Sequence, residues 1–262
     1  MSSAETLIHP GATVDAGARL APGVRVGPQA YIGPDVEIGE DCVIGPFCVL
    51  QGPMRLGREN VLHAHVCLGD APQDIGYRGE PTALEIGDRN VFREFVTIHR
   101  GTPKDRRLTT VGSDNMFMVY SHVGHDCVIG DGVILGNATH IGGHVTVADR
   151  ANISALCAVH QFSRIGRNTM IGGGSIVVQD IPPYMMAAGN HAKLYGLNRK
   201  GLARAGFSAE AVRALKQAYR LLYRSGLRLE AACERLRGQA PLSAEVEHLL
   251  AFLENSKRGV SR

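Results

Sequence analysis

The stretch "VGHDCVIGDGVILGNATHIGGHVTVADRANI", Val123 to Ile153, opens a new unit with an aliphatic residue every six positions: Val123, Ile129, Leu135, Ile141, Val147 and Ile153. An α-helix places its apolar face at i, i+3, i+4 and i+7, so a period of six excludes it. Six residues suit one short strand and a turn, with the aliphatic side chain inward. Working outward, units start at every sixth residue from Ile8 to Leu68, at Ile86, Phe92 and Ile98, and again from Val111 to Val177. Of these 26 hexads, 24 open with Ile, Val or Leu, 14 continue with Gly, and the fifth residue is usually small. Hexapeptide repeats are a signature of the parallel β-helix. Three hexads close one triangular coil, so equivalent positions stack every 18 residues and the chain builds between eight and nine coils.

Composition agrees. Thirty-two glycines without a collagen period fit tight turns between short strands. A net charge of +3 argues against a nucleic-acid binder. The N-terminus lacks the basic and apolar regions of a secretory signal, and no apolar run approaches the ~20 residues of a membrane helix. Cys42, Cys48, Cys127 and Cys157 share the small-residue slot. They read as reduced core residues of a cytoplasmic protein rather than disulfides or metal ligands.

Two segments break the period, "DIGYRGEPTALE" (Asp74–Glu85) and "TPKDRRLTT" (Thr102–Thr110). Both should loop out of the coil, and excursions from a rigid solenoid often line a binding site. The repeat ends near Pro182-Pro183, giving a β-helix over 1–189 and an α-helical domain over 190–262. Ser208 and Ser243 are candidate caps of two helices, the first with a stripe of Val212, Leu215, Tyr219 and Leu222. Asn190 to Arg228 holds nine Lys or Arg and one acid, an excess of +8, with Arg213, Lys216, Arg220 and Arg224 on one helical face. Such a face is either solvated or meets an acidic partner.

Alignment by the period gathers histidines. If the second loop widens a corner, Ile98, Val123, Ile141 and Val159 start stacked strands, followed by His99, His125, His144 and His160. His122 and His140 end the preceding hexads, and carrying the register down to Leu62 adds His63 and His65, eight of 11 histidines on one edge. Imidazoles on neighbouring coils can form a metal shell, as in the trimeric γ-class carbonic anhydrases. Alternatively, Asp126 orients His125 as a general base. Strand alternation would send His122 and His125 to opposite sides if one strand held both.

The repeat resembles that of the hexapeptide acyltransferases, which implies a left-handed helix, against the usual crossover rule. "HVGHDC", "IGDRNVFREFVTIHRGT", "AVHQF", "QDIPPY" and "GNHA" look like the UDP-N-acetylglucosamine O-acyltransferases that open lipid A biosynthesis, a match spanning essentially the whole chain. A sibling N-acyltransferase carries an extra N-terminal domain, for which hexads beginning at Ile8 leave no room. The resemblance implies an all-β left-handed parallel β-helix with a small α-helical C-terminal domain, assembled as a homotrimer with clefts between subunits. It makes His125 the base, Asp126 its partner and the Gly143 N–H the oxyanion donor. Asp74, His99, His122, His144, His160, Gln161 and the "GNHA" residue His191 would line the sugar and pantetheine cleft. Gly173 would leave the end of the acyl groove open to longer chains, and Asn198 and Arg204 would meet the nucleotide. Departures are Gly76 for a frequent lysine, Lys200 for a frequent acid and Ala205 for a second arginine.

The implied reaction moves a 3-hydroxyacyl group from the phosphopantetheine of acyl carrier protein to the 3-hydroxyl of UDP-N-acetylglucosamine. No metal or other cofactor is needed. A hydroxyl is a poor nucleophile at neutral pH, and histidine, with an ordinary pKa of ~6.5, suits the role of base.

Overall fold

The computed structural model describes residues 5–239 and 241–262. Each of the 26 hexad-opening residues sits in a short strand, from Leu7–Ile8 to Ile176–Val177. Strands three apart pair in parallel and form three sheets around one interior. Here they are called faces A (which includes Val43–Ile44), B (Val49–Leu50) and C (Met54–Leu56), in the order the chain visits them. The openers fill the interior: Ile32, Leu50, Phe92, Phe117, Val123, Ile141 and Ile171 are fully buried. The two hexads that open with Phe stack Phe92 on Phe117 at 4.9 Å between centroids, so the larger rings fill consecutive layers of the prism.

The repeat's glycine does not form the tight turns expected of it. Left-handed backbone at the corners falls on the fourth residue of a hexad, as at Asp126 (φ 58°), His144 (φ 59°) and Phe162 (φ 67°). The glycine in second place is needed because the next coil lies close. A Cβ on Gly45 would stand 2.6 Å from the Leu62 carbonyl oxygen. All six cysteines are free, and Cys42, Cys48, Cys127 and Cys157 occupy the fifth slot; Sγ of Cys42, Cys48 and Cys127 each lies 3.0 Å from a carbonyl of the following coil. Burial pushes the Cys127 thiol up to about 12.

The two excursions leave the corner between faces B and C on successive coils. They rejoin face C at Ala83 and Leu108, three residues before each hexad count resumes, because Ala83–Ile86 and Leu108–Val111 pair along four positions. The second excursion does widen a corner, since Ile98 pairs with Val123. The first shifts the register by its own length. Leu68, not Leu62, is the partner of Ile98, and Leu62 belongs to face A. His63 and His65 therefore leave the histidine edge. His65 stacks between Phe47 and Phe95 at 4.9 and 4.7 Å on the corner between faces A and B.

After the last coil, Met185–Ala188 and Lys193–Leu197 form an antiparallel pair that extends face A, the second strand falling in the span that the sequence reading gives to helix. Four helices follow: α1 (Arg199–Arg204), α2 (Ala209–Arg224), α3 (Leu229–Arg237) and α4 (Ala244–Glu254). Ser208 caps α2, its Oγ accepting from the Ala211 N–H at 3.1 Å. Ser243 makes no such bond at α4. Leu215, Tyr219 and Leu222 are buried, whereas Arg213, Lys216, Arg220 and Arg224 stay exposed on the far side of α2. Among the described residues, no helix is long and apolar enough to cross a membrane.

Candidate active site

The strand His122–Val123 ends before the corner, and Gly124, His125 and Asp126 make the turn. That break removes the alternation objection, so His122 and His125 face one cavity of about 370 Å³. His99, His140, Gly143 and Gln161 also line it. So does Gln73, which sequence reasoning missed because it precedes a broken stretch of the repeat.

Asp126 is buried, and its Oδ2 lies 2.9 Å from His125 Nδ1. The second excursion completes its surroundings. The Thr102 N–H donates to both carboxylate oxygens at 3.0 and 2.9 Å, and the Thr102 hydroxyl donates at 2.6 Å. With Nδ1–H donating a hydrogen bond to this carboxylate, His125 keeps a lone pair on Nε2. That nitrogen faces the coil above, where a Cβ on Gly143 would stand 2.7 Å from it. This glycine of the next coil is what leaves room for the imidazole.

His144 packs edge-on to His125 at 5.0 Å between centroids, and its Nδ1 is 2.8 Å from Asp105 Oδ2. Donor atoms of His125, Asp126 and His144 lie within 4.8 Å of one another, a spacing a cation could span. The Asp126 oxygens are already taken by Thr102 and His125, and His144 Nε2 is 3.9 Å away from them. A metal would have to displace those bonds, so the donor set favours a hydrogen-bonded pair. His122 is held neutral, its pKa pushed down to about 4 by burial and then by His99, His140 and His125 nearby. Its Nδ1 meets the Thr97 hydroxyl at 2.8 Å. Burial likewise lowers His99.

The remaining expected residues separate. Asp74 is in the first excursion, bound to Lys104 at 2.8 Å. His160 meets Arg258, near the C-terminus, at 2.8 Å. Gly173 follows the face A strand Met170–Ile171 at the corner of faces A and B, and His191 lies in the turn of the terminal hairpin. Asn198 and Arg204 line a cavity of about 970 Å³ against face A, with Arg150, Arg199 and Lys200. Face A is opposite the B–C corner of the prism, so Arg204 and His125 line separate cavities on different sides of one chain.

Residues 180–261 match the family model described as Udp N-acetylglucosamine O-acyltransferase, domain 2, and residues 108–143 match Bacterial transferase hexapeptide (six repeats). The chain is similar to the acyl-[acyl-carrier-protein]–UDP-N-acetylglucosamine O-acyltransferase of Burkholderia orbicola, at 48% identity over 79% of this chain and 80% of that one. The enzyme of the same name from Verminephrobacter eiseniae is 49% identical over 81% and 83%. Among solved structures, the UDP-N-acetylglucosamine acyltransferase of Francisella novicida superposes with a TM-score of 0.95 at 35% identity, covering 98% of this chain and 94% of that one. Fold, repeat and sequence agree, and this chain belongs to the UDP-N-acetylglucosamine O-acyltransferase family.

Proposed function

We propose that this chain transfers a 3-hydroxyacyl group from acyl carrier protein to the 3-hydroxyl of UDP-N-acetylglucosamine, the first step of lipid A biosynthesis. The observation that carries the mechanism is the His125–Asp126 pair, tied at Nδ1 and free at Nε2 toward the cavity. Nε2 takes the proton of the acceptor hydroxyl as its oxygen attacks the thioester carbon. Negative charge then develops on the carbonyl oxygen, where a fixed backbone N–H such as that of Gly143 is most useful. Collapse breaks the C–S bond, and the imidazolium returns its proton to the pantetheine sulfur. Asp126 keeps the ring in the right tautomer and stabilises its charged form without itself taking the proton. Neutral His122 and His99 add no positive charge to compete for the acceptor.

The basic cavity on face A, with Arg150, Arg199, Lys200 and Arg204, suits a nucleoside diphosphate. Lys200 adds a positive charge there, which offsets the missing arginine at Ala205. The exposed basic side of α2 suits the acidic surface of acyl carrier protein. Thiol should be released from a 3-hydroxyacyl carrier-protein thioester only when UDP-N-acetylglucosamine is present. Release that ignores the sugar nucleotide would reject the reading.

Because the two halves lie on opposite sides of each prism, the complete site is built between neighbouring copies of a homotrimer. The fourth-slot residues support this assignment. On the A–B corner they include exposed Phe47, Phe95, Tyr120 and Leu156, while the C–A corner carries Asp41, Glu59, Arg89 and Asp114. An apolar edge is the one to bury. Mixing chains gives the test. His125→Ala chains and Asn198→Ala/Arg204→Ala chains are each nearly inactive, but trimers re-formed from equal amounts of the two should regain about a quarter of the wild-type sites, since each cyclic interface pairs one chain with the next. No recovery on mixing would place both halves in one chain.

A further inference from the structure

The second excursion is pinned at two points. Thr102 donates three hydrogen bonds to Asp126, and Asp105 holds His144 at 2.8 Å. Between these anchors stands Lys104, whose Nζ lies 2.9 and 2.8 Å from the two oxygens of Asp74 in the first excursion. Asp74 is the more enclosed partner, 15% exposed against 60% for Lys104. It also accepts the Gly76 N–H at 2.6 Å, and Lys104 and that N–H together hold its carboxyl below the usual range. Position 76 decides whether the lysine fits. A Cβ there would stand 2.7 Å from Lys104 Nζ and 3.1 Å from its Cε, so the missing side chain is the space the lysine uses. Gln73, adjacent to Asp74, lines the histidine cavity.

We infer that Lys104 is a positioning residue for the acceptor sugar: it latches the first excursion onto the anchored second one and holds the Asp74 carboxylate, with Gln73, in place at the cavity. It acts through Asp74 and touches no reacting atom. The inference rests on the reading of Asp74 as a sugar-facing group. A half-exposed ion pair adds little to global stability. Its loss should instead free a surface loop, whose reordering then weakens binding of the ligand that needs it.

The test is steady-state kinetics of the full-length enzyme with UDP-N-acetylglucosamine varied. Lys104→Met should raise KM for the sugar nucleotide about three- to five-fold, the scale of one exposed ion pair. Its kcat should stay within about two-fold and its melting temperature should not change. Gly76→Lys in the Lys104→Met background supplies an ammonium to Asp74 from the same excursion, which cannot tie that excursion to the second, and it should leave KM raised. Lys104→Arg should retain most of the effect. Asp74→Asn should raise KM at least as far, with no further rise when Lys104→Met is added, as coupled sites require. If Asp74→Asn raises KM but Lys104→Met does not, the latch is wrong. A rise that Gly76→Lys relieves would also overturn it, because charge beside Asp74 would then suffice without a tie between the excursions. If Asp74→Asn leaves KM unchanged, the reading of Asp74 falls and takes the latch with it.

Discussion

Replacing His125 by alanine lowers kcat by about 10²–10⁴-fold, the usual worth of general-base catalysis. The fold survives the change. His125 sits on a corner outside the stacked Ile, Val, Leu and Phe layers, and those layers supply the solenoid's stability through contacts between neighbouring coils. Asp126→Ala costs less in kcat, because the base remains but loses its orientation and the support of its charged form. It does cost stability, since it leaves the Thr102 N–H and hydroxyl without their buried acceptor. His122→Ala raises KM more than it lowers kcat. Kinetics, melting temperature, oligomer size and metal content of the three variants check the set. A His125→Ala trimer keeping more than about a tenth of parental kcat defeats the base assignment. Loss of bound metal together with activity, in either histidine variant, would restore the metal reading.

Gly143→Ala is expected to be nearly as damaging, although it adds a single methyl group. The new Cβ would stand 2.6 Å from His125 Cε1 and 2.7 Å from Nε2. No side chain tolerates such approaches, and a ring tied to Asp126 on its other side cannot retreat without breaking that bond. The imidazole must rotate, and a displacement of about 1 Å at a reacting centre costs on the order of 10²-fold in rate. Backbone conformation is no obstacle, since Gly143 does not have positive φ. The melting temperature should change little while kcat falls about 10²-fold, and a variant with more than half the parental kcat would show that His125 does not need this space.

The β-helix was legible because a six-residue period is a property of the chain itself, readable at Val123, Ile129 and Leu135 without knowledge of the fold. All 26 predicted openers sit in strands. The errors came where a local count had to cross an irregular segment. His63 and His65 were misplaced because the first excursion adds a dozen residues to one coil, so Leu68 takes the partner expected of Leu62. The strand Lys193–Leu197 was missed because it has no hexad and is held by an antiparallel partner, a tertiary feature. Ser243 has the residue type of a cap, but cap geometry depends on how the preceding chain arrives.

At the site, His122, His125, Gly143 and Gln161 fall together because stacking by 18 residues is simple arithmetic. Thr102, which donates three hydrogen bonds to Asp126, was seen only as the start of a loop. No spacing rule brings an excursion back onto the corner it left. The separation of Arg204 from His125 was equally hidden, because it depends on which face of the prism the C-terminal hairpin and α1 pack against.

The reaction itself is tested most directly by the mass and lability of its product. Purified enzyme incubated with UDP-N-acetylglucosamine and a panel of 3-hydroxyacyl carrier-protein thioesters should yield a sugar nucleotide heavier by one 3-hydroxyacyl group, with longer chains preferred as the open Gly173 position implies. Mild alkali should release the acyl group, and tandem mass spectrometry should place it on the 3-oxygen of the glucosamine ring. An unmodified sugar nucleotide, or an acyl group that resists mild alkali as an amide would, contradicts the account.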